Sequence, residues 1–167
     1  MSKKTRALIL IVSLVITMGS YVATLPPTEN LSKFSAFDLK TGDVVDIASY
    51  EGEPMLITFW STDCPYCMKE VPTINQIHNQ YKDKGLKVLG IVPKKDNLKI
   101  AQKVAKQKGM GYPSLYDKHG NVAKAMNNTG LMPHTVLVSK SGEILMNKLG
   151  MFSKEDIEDK LDSMTEL

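Results

Sequence analysis

An apolar run broken only by Thr58, MLITFW at residues 55–60, leads within five residues to Pro65. A segment that is apolar on both faces suits a strand buried on both sides, and a strand of that kind needs helices packed over it. Proline is at home in the first turn of a helix, where its missing N–H costs nothing. From Pro65 onward the pattern changes to helical, with Val71, Ile74, Ile77 and Tyr81 on one face and Gly85 beyond its end. LKVLGIV (86–92) is a second central strand, and residues 96–108 form a second helix with Leu98, Ala101, Val104 and Ala105 inward. PSLYD (113–117) is a short strand. HTVLVSKSGEILMNKLG (134–150) is a hairpin turning at Ser141–Gly142. Ser153 with Asp156 resembles a capping box before a last helix that turns Ile157, Leu161 and Met164 inward. Ahead of all this, FSAFDLKTGDVVDI (34–47) reads as two strands around a Thr41–Gly42–Asp43 turn. The chain is therefore α/β, with a mixed central sheet flanked by helices.

The 167 residues suffice for one domain and a tail. Net charge is +3, and Lys3, Lys4 and Arg6 account for all of it, so the rest is neutral and no nucleic-acid partner is expected. Lys99, Lys103 and Lys106 on the second helix read as a solvated face. Residues 1–6 form a basic cytoplasmic n-region, and 7–25 an apolar run just long enough to span a bilayer. No small-x-small site precedes Thr24, because Tyr21 is too large, and this favours an uncleaved signal anchor over a cleaved signal peptide. Residues 26–33, which open with paired prolines, are a linker, and 34–167 the folded domain. The expected location is the extracytoplasmic side of the cell membrane, single-pass, with secretion or a periplasmic location after cleavage as the alternative. That compartment permits disulfides.

Cys64 and Cys67, in WSTDCPYCMKEVP (60–72), are the only cysteines. A disulfide closing so short a loop stabilises little. A zinc site needs about four ligands. His78, His119 and His134 lack ligand spacing and read as surface or loop residues, so no metal is expected. A peroxidatic cysteine follows Pro-x-x-x-Thr/Ser-x-x, but Ile57 occupies the proline position. A reactive redox pair remains, with a strand delivering Cys64 to a helix N-terminus that favours its thiolate. Cys67, one turn on, is placed to resolve a mixed disulfide. Asp63 opposes the dipole by raising the Cys64 thiol pKa.

FWSTDCPYCMKEVP together with YPSLYDKHGNVAKAMNNTGLMPHTVLVSKSGEI resembles the thioredoxin-like oxidoreductases of the TlpA/ResA group over roughly residues 31–165. The resemblance implies a thioredoxin fold with an N-terminal β-hairpin and an inserted strand–helix segment. It implies that Pro133 follows a cis bond and faces the pair, with Met132 offering its backbone to a client strand. It implies that Glu70 is a buried acid managing protons at the cysteines, and that Pro72 kinks the active-site helix. Trp60, before the pair, and Tyr66, between its two cysteines, are expected to touch the client as well. Two positions depart from the group: Asp63 stands where Trp is common, and Tyr66 where Pro is common.

The leading expectation is a membrane-anchored thiol–disulfide oxidoreductase working as a reductant of client protein disulfides, for example in cytochrome c maturation. It needs a membrane electron donor or acceptor and no cofactor beyond the Cys64–Cys67 disulfide. Pro65–Tyr66 motivates the opposite direction, a disulfide-forming oxidase. A non-catalytic peptide-binding module is the third reading.

Overall fold

The computed structural model describes residues 34–165. The n-region, the apolar run and the linker lie outside the described residues. Among those described, no helix is long and apolar enough to cross a membrane.

Seven strands form one mixed sheet: β1 (Ser35–Asp38), β2 (Val44–Asp46), β3 (Met55–Phe59), β4 (Lys87–Pro93), β5 (Ser114–Asp117), β6 (His134–Val138) and β7 (Ile144–Leu149). Their spatial order is β2-β1-β5-β4-β3-β6-β7. β3, β4 and β5 are parallel neighbours, and the remaining pairs are antiparallel. The helices are α1 (Pro65–Tyr81), α2 (Leu98–Gln107), α3 (Asn121–Ala125) and α4 (Glu158–Thr165). This is a thioredoxin fold. β1 and β2 form the N-terminal hairpin, turning at Gly42, whose φ of +80° suits glycine. β5 and α3 are inserted between α2 and β6.

Both central strands bury every interior residue, as their composition requires. Ile57, Phe59, Leu89 and Ile91 pack on one face with Val122 and Met126 from the α3 segment. Leu56 and Val88 pack on the other with Ile74, Ile77 and Tyr81 of α1 and Ile157, Leu161 and Met164 around α4. A third cluster joins Trp60, Cys67, Val92 and Ala101 of α2. Helix α1 therefore spans two clusters, and its cysteine end belongs to the third.

Helix α3 is the helix of the inserted segment that the resemblance implied, although no apolar period in the sequence marks it. Buried Asp117, at the end of β5, accepts the backbone N–H groups of Asn121 (3.0 Å) and Ala123 (2.9 Å). A carboxylate from the preceding strand thus satisfies the orphan donors of a five-residue helix. At the last helix the expected capping residues are only half engaged. The Ser153 N–H donates to Asp156 Oδ2 at 2.8 Å, and the regular helix begins at Glu158.

Candidate active site

β3 ends at Phe59, and the Trp60 N–H donates to the Ile91 carbonyl at 3.0 Å, holding the exit of the strand against β4. The loop is pinned a second time where the Thr62 N–H meets Asp96 Oδ2 at 2.8 Å. It delivers Cys64 as the N-cap of α1, with Pro65 next. Cys64 and Cys67 are joined in a disulfide. The Cys67 N–H points at Cys64 Sγ at 3.1 Å, so an unpaired donor of the helix start is directed at the sulfur. On reduction that donor and the helix dipole favour a Cys64 thiolate. Cys64 is half-buried, whereas Cys67 is 3% exposed. The outer sulfur therefore meets a client first.

Asp63 is exposed and takes a hydrogen bond from the Ser61 hydroxyl. That bond holds its carboxyl below the usual range. The residue is thus a charged neighbour of Cys64, opposing the dipole. Tyr66 is 59% exposed and accessible to a client, and Lys69 lies over its ring at 5.4 Å.

Glu70 sits three residues past Cys67, on the same face of α1, and is 1% exposed. Its Oε1 accepts the Phe152 N–H at 3.0 Å, and its Oε2 is buried without a partner. Burial raises its pKa to about 7, opposed by the Phe152 hydrogen bond. A carboxyl with that affinity takes up and releases a proton near neutrality. Pro72 follows inside the helix and cannot donate to the Met68 carbonyl.

On the other side of the pair, β6 pairs with β3 so that His134 lies opposite Phe59. Pro133 directly precedes His134 and is buried. The Met132–Pro133 bond is cis. Gly150 donates to the Pro133 carbonyl at 2.8 Å. Met132 is half-buried and packs against both the first and the third clusters.

Two expectations change here. Trp60 is 2% exposed and packs in the cluster with Cys67, with α2 covering it. Its ring is buried in that cluster rather than open at the surface beside the pair. His134 is neither a surface nor a loop residue. It is buried in β6, stacked on Phe59 with ring centroids 5.4 Å apart. Its Nδ1 lies 2.8 Å from Asn128 Nδ2, and its Nε2 lies 2.7 Å from Asn147 Oδ1. An amide nitrogen can only donate, so Nδ1 accepts and the ring hydrogen is on Nε2. Asn128 also accepts the Gly130 N–H at 2.9 Å, which ties the loop leading to Met132 to the histidine. His78 is half-buried on α1 and His119 is exposed. Among the described residues, no group of three or more His, Cys, Asp or Glu is placed to hold a metal.

A family model described as Redoxin matches residues 27–164. The thiol-disulfide oxidoreductase ResA of Geobacillus kaustophilus is 33% identical over 131 residues, 78% of this chain and 74% of the relative. ResA of Bacillus thuringiensis is 27% identical over 98% of this chain and 99% of its own. Two solved structures share the fold. A secreted Mycobacterium tuberculosis disulfide oxidoreductase homologous to E. coli DsbE has a TM-score of 0.69 at 23% identity, covering 81% of this chain and 98% of its own. A secreted thiol-disulfide isomerase from Corynebacterium glutamicum has a TM-score of 0.71 at 21% identity, covering 80% and 84%.

Proposed function

From the premise that the chain belongs to the Redoxin family and is a thiol–disulfide oxidoreductase of the ResA kind, we propose that it is an extracytoplasmic reductant of client protein disulfides, held at the membrane by its N-terminal segment. The observation that carries the direction is buried Glu70, one helical turn from Cys67. When ionised, it repels a neighbouring thiolate and disfavours the reduced pair, which makes the pair a stronger electron donor. Near neutrality it also accepts the proton that Cys67 must lose before attacking.

In this reading the Cys64 thiolate attacks a client disulfide, and one client sulfur leaves. A mixed disulfide joins the client to Cys64. Cys67 then gives its proton to Glu70 and attacks Cys64 Sγ. The Cys64–Cys67 bond forms, the second client sulfur leaves, and the client departs reduced by two electrons. Tyr66 at the rim and the Met132 backbone beside Pro133 receive the client chain. Clients with paired cysteines, such as the haem-attachment cysteines of apocytochrome c, suit a pair that forms one disulfide per cycle. A membrane thiol donor then restores the dithiol.

A Cys67→Ser variant tests the exchange. It is expected to hold clients on Cys64 as mixed disulfides that reductant releases. Cells yielding no such adducts, with Cys64 still alkylated by iodoacetamide, would refute the cycle.

The opposite direction, which Pro65–Tyr66 motivates, has a structural observation in its favour as well. The Cys67 N–H at 3.1 Å from Cys64 Sγ stabilises a Cys64 thiolate, and hence the reduced form. The midpoint potential separates the two readings.

A further inference from the structure

Glu70 must discharge the proton it takes from Cys67, and a docked client covers the disulfide face while it does so. A second opening lies elsewhere. A cavity of about 790 Å³ sits between the turn after β1, helix α2 and the start of β5, and Tyr112 and Ser114 form part of its wall. Ser114 pairs with Gly90, which lies opposite Thr58 of β3, and none of the residues lining the cavity belongs to the loop that carries the cysteines.

The wall reaches the buried polar atoms beneath the pair. A Cβ built on Gly90 would lie 2.5 Å from Ser114 Oγ, 3.0 Å from Trp60 Nε1 and 3.1 Å from Tyr112 Cε2, so these three groups converge on one backbone position. Trp60 Nε1 and Glu70 Oε2 are both buried with no hydrogen-bond partner among the described residues. Tyr112 packs in the cluster that holds Ile74 and Phe152, one being the next turn of α1 after Glu70 and the other the residue whose N–H binds its carboxylate. The phenol is close enough for the Glu70 charge, after burial, to raise its pKa. It therefore keeps its hydrogen at working pH and is able to accept one proton while giving up another.

We propose that this lateral cavity is the route by which Glu70 exchanges its proton with solvent during disulfide exchange, with the Tyr112 hydroxyl as the relay at its inner wall. The inference rests on the reductive cycle above. Cys67 gives its proton to Glu70 as the Cys64–Cys67 bond forms. Glu70 then passes that proton past Tyr112 to solvent in the cavity, and no electron moves in this step. The charged groups facing the path are Glu70 from α1, Asp38 and Lys40 at the end of the hairpin strand, and Lys106 from α2. Tyr112 acts through Glu70 and touches no reacting sulfur, so it is a positioning residue.

The test follows reduction of an oxidised two-cysteine peptide by stopped flow, using fluorescence of Trp60, the only tryptophan, in H2O and D2O. Tyr112→Phe removes the hydroxyl and keeps the ring. Lys106→Cys, labelled with a bulky maleimide while the native pair is oxidised, obstructs the cavity from its rim without touching the wall. Both are expected to slow release of the Glu70 proton that follows the resolving phase, read with a pH-indicator dye in the same mixing experiment, about tenfold, a fraction of the 10²–10⁴-fold that positioned proton transfer supplies. Both should also raise the solvent isotope effect of that release, with attack by Cys64 and the resolving phase unchanged. Proton release at wild-type rate and isotope effect in both variants would overturn the route while leaving the exchange cycle standing. A wild-type protein that reduces no disulfide would instead overturn the cycle and the route together.

Discussion

Replacing Glu70 by Gln removes the buried charge and keeps an acceptor for the Phe152 N–H, which lies 3.0 Å from Oε1. The carboxyl is raised from the ordinary 4.5 to about 7. At 1.36 kcal/mol for each tenfold change in proton affinity, that gap is worth roughly 3 kcal/mol. Of this, about 2 kcal/mol falls within the pH 5–8 window of the assay. The sign follows from proton counting. Between pH 4.5 and about 7 the folded carboxyl holds its proton more tightly than the unfolded one, so the folded protein binds more protons and its stability falls as pH rises. The contribution is fully present below 4.5 and lost once pH has risen through about 7. Gln does not titrate. Any cost of burying its amide is the same at every pH, so only the slope is diagnostic. Guanidinium denaturation of the oxidised protein from pH 5 to 9 gives the stability of each form. The variant should gain on the wild type by about 2 kcal/mol between pH 5 and 8, then hold level. A difference that stays constant across that range would refute the claim that burial governs this carboxyl.

Gly90→Ala should destabilise by about 1–3 kcal/mol, the cost of overpacking a filled core, because its Cβ would lie 2.5 Å from Ser114 Oγ. Adding Ser114→Gly should recover part of that loss in the same denaturation assay, and no recovery would count against the contact. Asp63→Asn removes the charge beside Cys64, so the Cys64 thiol pKa should fall. The pH dependence of ultraviolet thiolate absorbance reads this, and an unchanged or higher pKa would show that the aspartate does not act on the sulfur.

Where the apolar pattern alone decides burial, the fold was legible in the sequence. MLITFW could only be a central strand, and the spacing of Val71, Ile74, Ile77 and Tyr81 set the inner face of α1. Cys64 as the N-cap of that helix followed from Pro65. What stayed hidden depends on partners distant in the chain. The inserted strand PSLYD was visible in the residues, but the five-residue helix after it was implied only by the resemblance, because it is held by the Asp117 carboxylate rather than by any apolar period. His134 looked like a loop residue next to a proline. Its burial is decided by Phe59, Asn128 and Asn147, which a single sequence does not bring together. Trp60 looked like a client contact because it precedes the pair, yet the packing of α2 turns it into the floor under Cys67. The nearness of Tyr112 to Glu70 is equally invisible, since it arises where the loop before β5 meets α1.

The direction of electron flow is the central claim, because a carboxylate beneath Cys67 and a backbone N–H on Cys64 push it opposite ways. Equilibration of a fragment spanning residues 34–167 against glutathione and thioredoxin buffers at pH 7 measures the balance as a midpoint potential. A reductant governed by Glu70 should lie below about −250 mV, near thioredoxin at about −270 mV. A value near −120 mV, where disulfide-forming oxidases lie, would mean that stabilisation of the Cys64 thiolate prevails and that the protein takes electrons from its clients.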